Sequence, residues 1–127
     1  MKNDINFDFD RQNRLGIIEA ILGQNKNVDQ LKKICKQVID KGELVFITRI
    51  NFDKAKLILD IYKNAVFHEE ASCVVIGKNL KKLSTSKKVA IVAGGTSDLS
   101  VSLEAKLALE VHGVKCKTFI DVGVAGL

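Results

Sequence analysis

The stretch "VAIVAGGTSDLSVSLEAKLALEVHG", residues 89–113, decides the fold. It starts as a short apolar run rich in Val and Ile, breaks at Gly94 and Gly95, passes through Thr96-Ser97-Asp98, and continues near Leu99 in a helical pattern that stops at Gly113. A second short run follows over residues 114–121, so the spacing predicts strand, helix, strand with short connections, a βαβ unit. Parallel strands need helices on both faces and further strands alongside. The segment 87–127 is therefore expected to be the start of a sheet that continues beyond Leu127, and the chain to be the front part of a longer protein.

Upstream, residues 43–50 (ELVFITRI) form a continuous apolar run with β-branched residues, which reads as a buried strand ending at Thr48-Arg49. Two helices flank it. One starts at Asn27, carries Val28, Leu31, Ile34 and Val38 on one side, and stops at Gly42; the other follows Asn51 or Asp53 and uses Ala55, Ile58, Leu59 and Tyr62. A further helix is predicted from Asp8 or Asp10 to Leu22, closed by Gly23. Residues 65–76 read as one bent strand or two short ones, and the polar, basic segment 77–86 as a linker. The fold expected is α/β: a small N-terminal α/β domain over 1–86, then over 87–127 the first βαβ unit of an incomplete flavodoxin-like parallel sheet.

Of the 127 residues, 46% are apolar and 28% charged, which is ordinary for one globular domain. No apolar run approaches the ~20 residues of a membrane span, and the acidic, polar start MKNDINFDFD is unlike a signal peptide, so a cytoplasmic protein is expected. Cys35, Cys73 and Cys116 are widely separated without C-x-x-C spacing and read as small buried apolar residues. The net charge of +5 is spread along helices with few aromatic residues between, which argues for a solvated surface over a nucleic-acid partner. Arginine is scarce: Arg11, Arg14 and Arg49 against 17 lysines. A rigid guanidinium fork matters most where a carboxylate or phosphate is held.

Ligands of open parallel sheets bind beyond the carboxyl ends of the strands. Two such ends are predicted, residues 94–98 and residues 121–126. Gly94, Gly95, Gly123 and Gly126 let a phosphate approach backbone N–H groups, Thr96 and Ser97 add hydroxyls, and Asp98 and Asp121 each add a carboxylate for a ribose hydroxyl or a reacting centre. Tight turning is the plain alternative for the glycines, and helix capping for Asp98. His68 and His112 have no ligand-spaced partner, so no metal site is expected; His112, beside Gly113, reads as a cation at a helix C-terminus. Glu69 and Glu70 would face opposite sides of a strand and make a poor acid/base pair.

"VAIVAGGTSD", the helix with Glu104 and Ala105, and "DVGVAGL" together resemble the LarB family, related to the purine-pathway aminoimidazole ribonucleotide carboxylase/mutase. The front of the chain carries the same resemblance: Asp8, Arg11, Arg14, Gly16 and Glu19, then Gly23, Lys26 and Thr48-Arg49. The resemblance implies nickel-pincer cofactor biosynthesis, in which nicotinic acid adenine dinucleotide is carboxylated on its pyridinium ring with carbon dioxide and its phosphoanhydride is hydrolysed, releasing AMP. It implies that Thr96, Ser97 and Asp98 contact the nucleotide's phosphate and ribose, and that Asp121, Gly123, Val124, Ala125 and Gly126 line the opposite wall, with Asp98 and Asp121 the catalytic candidates. Arg11, Arg14 and Arg49 match family positions that either meet substrate carboxylates or phosphates or form salt bridges to Asp8 or Glu19.

The family's cysteine nucleophile and a His-Arg pair would follow Leu127, so Cys116 is not that nucleophile, and the fragment alone is expected to be inactive. No covalently bound cofactor is implied; Mg2+ is a candidate for the full-length enzyme. A homo-oligomer without nucleic-acid or membrane partners is expected. Two other readings stand: an aminoimidazole ribonucleotide carboxylase/mutase, and a non-catalytic nucleotide-binding module.

Overall fold

The computed structural model describes residues 18–77 and 88–121. The elements are β1 (Ile21–Leu22), α1 (Val28–Asp40), β2 (Val45–Thr48), α2 (Phe52–Ile61), β3 (Ala65–His68), β4 (Cys73–Ile76), β5 (Lys88–Val92), α3 (Leu99–Val111) and β6 (Lys115–Phe119), with short 3-10 turns at Gly23–Asn25 and Thr96–Asp98. Strands β1 to β4 form one sheet in the order β1-β2-β4-β3, and β5 pairs with β6 in a second. The chain is thus α/β, with parallel pairing at β1–β2 and β5–β6 and antiparallel pairing through β4.

Local chemistry explains the helix ends. Asn27 caps α1 through a reciprocal box, its Oδ1 accepting from Gln30 N–H at 2.8 Å while Gln30 Oε1 accepts from Asn27 N–H at 3.0 Å. Asn51 caps α2 by accepting from Lys54 N–H at 2.9 Å. Helices α1 and α3 both close on a left-handed glycine, Gly42 (φ 74°) and Gly113 (φ 69°). The next residue in each case bonds back to the third-last helical carbonyl: Glu43 N–H to Val38 at 3.1 Å, Val114 N–H to Leu109 at 2.9 Å. A Cβ there would be strained, which is why glycine ends both helices.

The larger sheet is covered on both faces. Val45, Ile47, Val74 and Ile76 pack with Leu31, Ile34, Cys35 and Val38 of α1 and with Ala55 and Ile58 of α2. The alternate residues Leu44, Phe46 and Cys73 face the other way, against Ile18, Ala71 and the Leu103, Leu107, Ala108 and Val111 flank of α3. Burial on both faces accounts for the unbroken apolar run of β2. Helix α3 also contacts β5 and β6, so it lies between two sheets and is apolar on more than one side.

Two expectations are corrected here. The predicted helix from Asp8 or Asp10 does not reach Leu22: Ile21 and Leu22 are a strand paired in parallel with Ile47 and Thr48. The apolar spacing fitted a helix, but a buried ladder partner on β2 outweighs that local preference. Gly23 does not close a helix either. A Cβ on it would lie 3.0 Å from Ile50 Cβ and from the Thr48 carbonyl oxygen, so glycine serves close packing. The ambiguous segment 65–76 is two strands, an antiparallel hairpin turning through Ser72. The beginning of the first predicted helix and nearly all of the predicted linker lie outside the described residues.

Candidate functional site

Strands β5 and β6 run parallel in the register Lys88↔Lys115 to Val92↔Phe119, and Ala93 N–H continues the ladder to the Phe119 carbonyl at 2.8 Å. Their carboxyl ends therefore meet at one rim. The turn of residues 94–98 leaves β5 there, and Asp121 stands just past β6 in a left-handed conformation, φ 63°. Non-glycine residues adopt that conformation at a cost of about 1–3 kcal/mol and persist in it only where the surroundings hold them.

Among the described residues, nothing in the packing requires glycine at 94 or 95. Neither has a left-handed φ, and among the described residues a Cβ on Gly94 would meet nothing within 4 Å, while one on Gly95 would only touch Ser97 Oγ at 3.9 Å. Among the described residues nothing closes that side to a group approaching the backbone.

Asp98 stands at the N-terminus of α3, yet its side chain makes no cap hydrogen bond. Its carbonyl instead accepts from Ser102 Oγ at 2.8 Å. The capping alternative for Asp98 is thus excluded, and its exposed carboxylate sits at the rim. Ser97 is exposed beside it. The backbone of Thr96 belongs to the turn; its side chain, Gly123, Val124, Ala125, Gly126, Arg11 and Arg14 lie outside what the structure describes.

Arg49 follows β2 in a left-handed conformation, φ 49°. It reaches Glu104 on α3 through Nε at 3.9 Å; Asp8, one of the two salt-bridge partners considered for it, lies outside the described residues. Together with Asn51, Ser72, Ser100, Val101 and Glu104, Arg49 lines a cleft of about 430 Å3. Ser72 is left-handed too, φ 54°, and its carbonyl accepts from Ile50 N–H at 3.0 Å. Residues from three parts of the chain make this cleft, and no spacing along the sequence links them. The rarity of arginine pointed to Arg49 in the sequence, and its left-handed backbone at a strand end marks it again in the structure.

Under the cleft lies Cys73, fully buried, its Sγ donating to the Ala71 carbonyl at 3.2 Å. Burial first, then the Glu104 carboxylate, push its thiol up to about 11, against a backbone hydrogen bond from Arg49 that pulls it down. Burial pushes Cys35 up to about 12. Neither is a nucleophile at neutral pH.

His112 is not the helix-end cation expected. Its Nε2 accepts from Ile18 N–H at 2.8 Å, so the proton sits on Nδ1, 2.6 Å from the Ala108 carbonyl. An imidazolium has no acceptor to offer an N–H group, so the ring is neutral in this arrangement. Among the described residues no three His, Cys, Asp or Glu side chains converge as metal ligands, and no helix is long and apolar enough to cross a membrane.

The fold and rim define an α/β protein whose parallel strand pair presents a Gly-Gly-Thr-Ser-Asp turn and an aspartate side by side. Comparison with known families places it more closely. The LarB/PurE-like N-terminal domain matches residues 3–78, and the chain belongs to that family. It is also 32% identical over 129 residues to an uncharacterized protein of Methanocaldococcus jannaschii, covering 97% of this chain. The chain spans about half the length of that relative, 50%.

Proposed function

We propose that this chain is the front part of a pyridinium carboxylase/hydrolase that adds carbon dioxide to nicotinic acid adenine dinucleotide and hydrolyses its phosphoanhydride. The observation that carries the reading is the shared rim: one parallel pair brings the 94–98 turn and Asp121 to the same end, and among the described residues nothing covers Gly94. Membership of the LarB/PurE-like family supports it at the level of the family.

In this reading the N–H groups at the start of α3, with Ser97 and Thr96, take a phosphate of the substrate. Asp98, unencumbered by capping, accepts from the ribose hydroxyls and sets the ring's position. Asp121 holds the opposite wall. The carboxylating step replaces a ring C–H by C–CO2, with the proton leaving to a base, and water opens the phosphoanhydride to give AMP. The described residues offer no cluster for Mg2+, and no step runs through it. Self-association belongs to the proposal as well, to be read by light scattering of the full-length protein.

The test uses that full-length protein with the dinucleotide and bicarbonate, following carboxylated mononucleotide and AMP by mass spectrometry. Asp98→Asn is expected to keep the fold, because the lost charge makes no cap bond, and to lower carboxylation by about 100-fold or more. Unchanged turnover in that variant refutes the role of Asp98. Preferential conversion of aminoimidazole ribonucleotide by the wild type refutes the substrate.

A further inference from the structure

We infer that the cleft between Arg49 and the first two turns of α3 binds the nucleoside monophosphate half of a dinucleotide, an inference that rests on the dinucleotide reading above. Four observations carry it. The cleft, about 430 Å3, falls in the size range of small-molecule sites. Its polar groups are of the kinds a nucleotide needs: a guanidinium for phosphate, the Ser72 and Ser100 hydroxyls, a Glu104 carboxylate able to accept from a ribose diol, and an exposed Val101 side chain against which a base can lie.

Third, among the described residues Arg49 is only weakly engaged. Its side chain is 58% exposed, and its ion pair to Glu104 uses Nε at 3.9 Å, not the paired Nη atoms of a bidentate contact. Fourth, Ser100 and Val101 come directly after Asp98 and Leu99. A ligand whose first phosphate lies at the 94–98 turn would therefore reach Arg49 by passing the start of the same helix.

The other hollows fit this ligand less well. One of about 320 Å3 presents Glu69, Glu70 and Glu110, which repel a phosphate. Another of about 510 Å3 is rich in lysine, but Lys88 and Lys115 put it at the amino ends of β5 and β6, opposite the rim. A single dinucleotide held at the 94–98 turn does not serve both ends of the strands.

The experiment measures AMP and adenosine binding to the full-length protein by calorimetry, in wild type and in Arg49→Ala. The wild type is expected to prefer AMP by about tenfold or more, the contribution of a charge-assisted hydrogen bond to phosphate. Arg49→Ala should abolish that preference while leaving adenosine affinity unchanged. No preference in the wild type, a preference kept in the variant, or an equal loss of both ligands overturns the inference; the last would mark Arg49 as structural. Carboxylation of nicotinic acid adenine dinucleotide by the wild type, assayed separately, decides the enzymatic reading independently of this result.

Discussion

Two glycine-to-alanine changes separate packing from function. In Gly23→Ala the new Cβ would lie 3.0 Å from Ile50 Cβ, 3.0 Å from the Thr48 carbonyl oxygen and 3.1 Å from Ile47 Cγ2. These atoms are backbone or the roots of β-branched side chains in and beside a fully buried strand, and none can swing aside. Moving the Gly23–Asn25 turn outward instead would loosen Lys54 Nζ, which donates to the Gly23 carbonyl at 3.0 Å and the Lys26 carbonyl at 2.7 Å. Overpacking of this kind costs about 1–3 kcal/mol, and restriction of the unfolded chain returns about 0.4–1 kcal/mol. The net loss is about 1–2 kcal/mol, which at a urea slope of about 1–3 kcal/mol per molar lowers the unfolding midpoint by about 0.3–2 M. Gly94→Ala meets nothing within 4 Å among the described residues and needs no left-handed backbone. Its midpoint should hold or rise slightly, with the penalty appearing only in substrate binding. A Gly23→Ala midpoint equal to wild type, or a Gly94→Ala chain that unfolds earlier, would refute this reasoning.

Alkaline pH should destabilise the fold through its buried thiols. Cys35 rises from the ordinary 9.0 to about 12 and Cys73 from 9.0 to about 11, so above pH ~9 the unfolded chain releases protons that the folded chain keeps. Their contribution is complete below that pH and is lost as pH climbs through 11 to 12, which urea titrations at a series of pH values will show. A thiol reagent at pH 8 should label the half-exposed Cys116 and reach Cys35 and Cys73 only on unfolding. In His112→Ala the Ile18 N–H loses its acceptor, so its amide exchange should speed up severalfold while that of Leu31 in the opposite core is unchanged.

Most elements were legible because their ends carry chemistry: Asn27 and Asn51 as caps, Gly42 and Gly113 as stops, an unbroken apolar run for β2. Strand β1 was not, since two residues carry no period and the partner that makes them a strand is 26 positions away. The hairpin between β3 and β4 hid for a different reason. Its turn through Glu69, Glu70 and Ala71 has no Gly, Asn or Pro, and the left-handed position falls on Ser72. His112 was misread from its local helix end, whereas its charge state is set by Ile18, 94 residues away. At the site, the 94–98 turn and Asp121 could be placed from strand ends alone. Arg49 could be singled out by rarity, but its neighbours Ser72, Ser100 and Glu104 are assembled by tertiary packing.

Helix α3 has its later turns rooted in the front sheet, through Leu103, Leu107 and Val111, and its first residue hinged on the Asp98 turn. It behaves as a crankshaft shared by two layers. Each residue inserted between Ser102 and Leu103 would rotate the rim by about 100° against the Arg49 wall. The angular setting of that wall relative to Asp98 is thus written into a count of residues, and drift in sequence is tolerated there far more readily than drift in length.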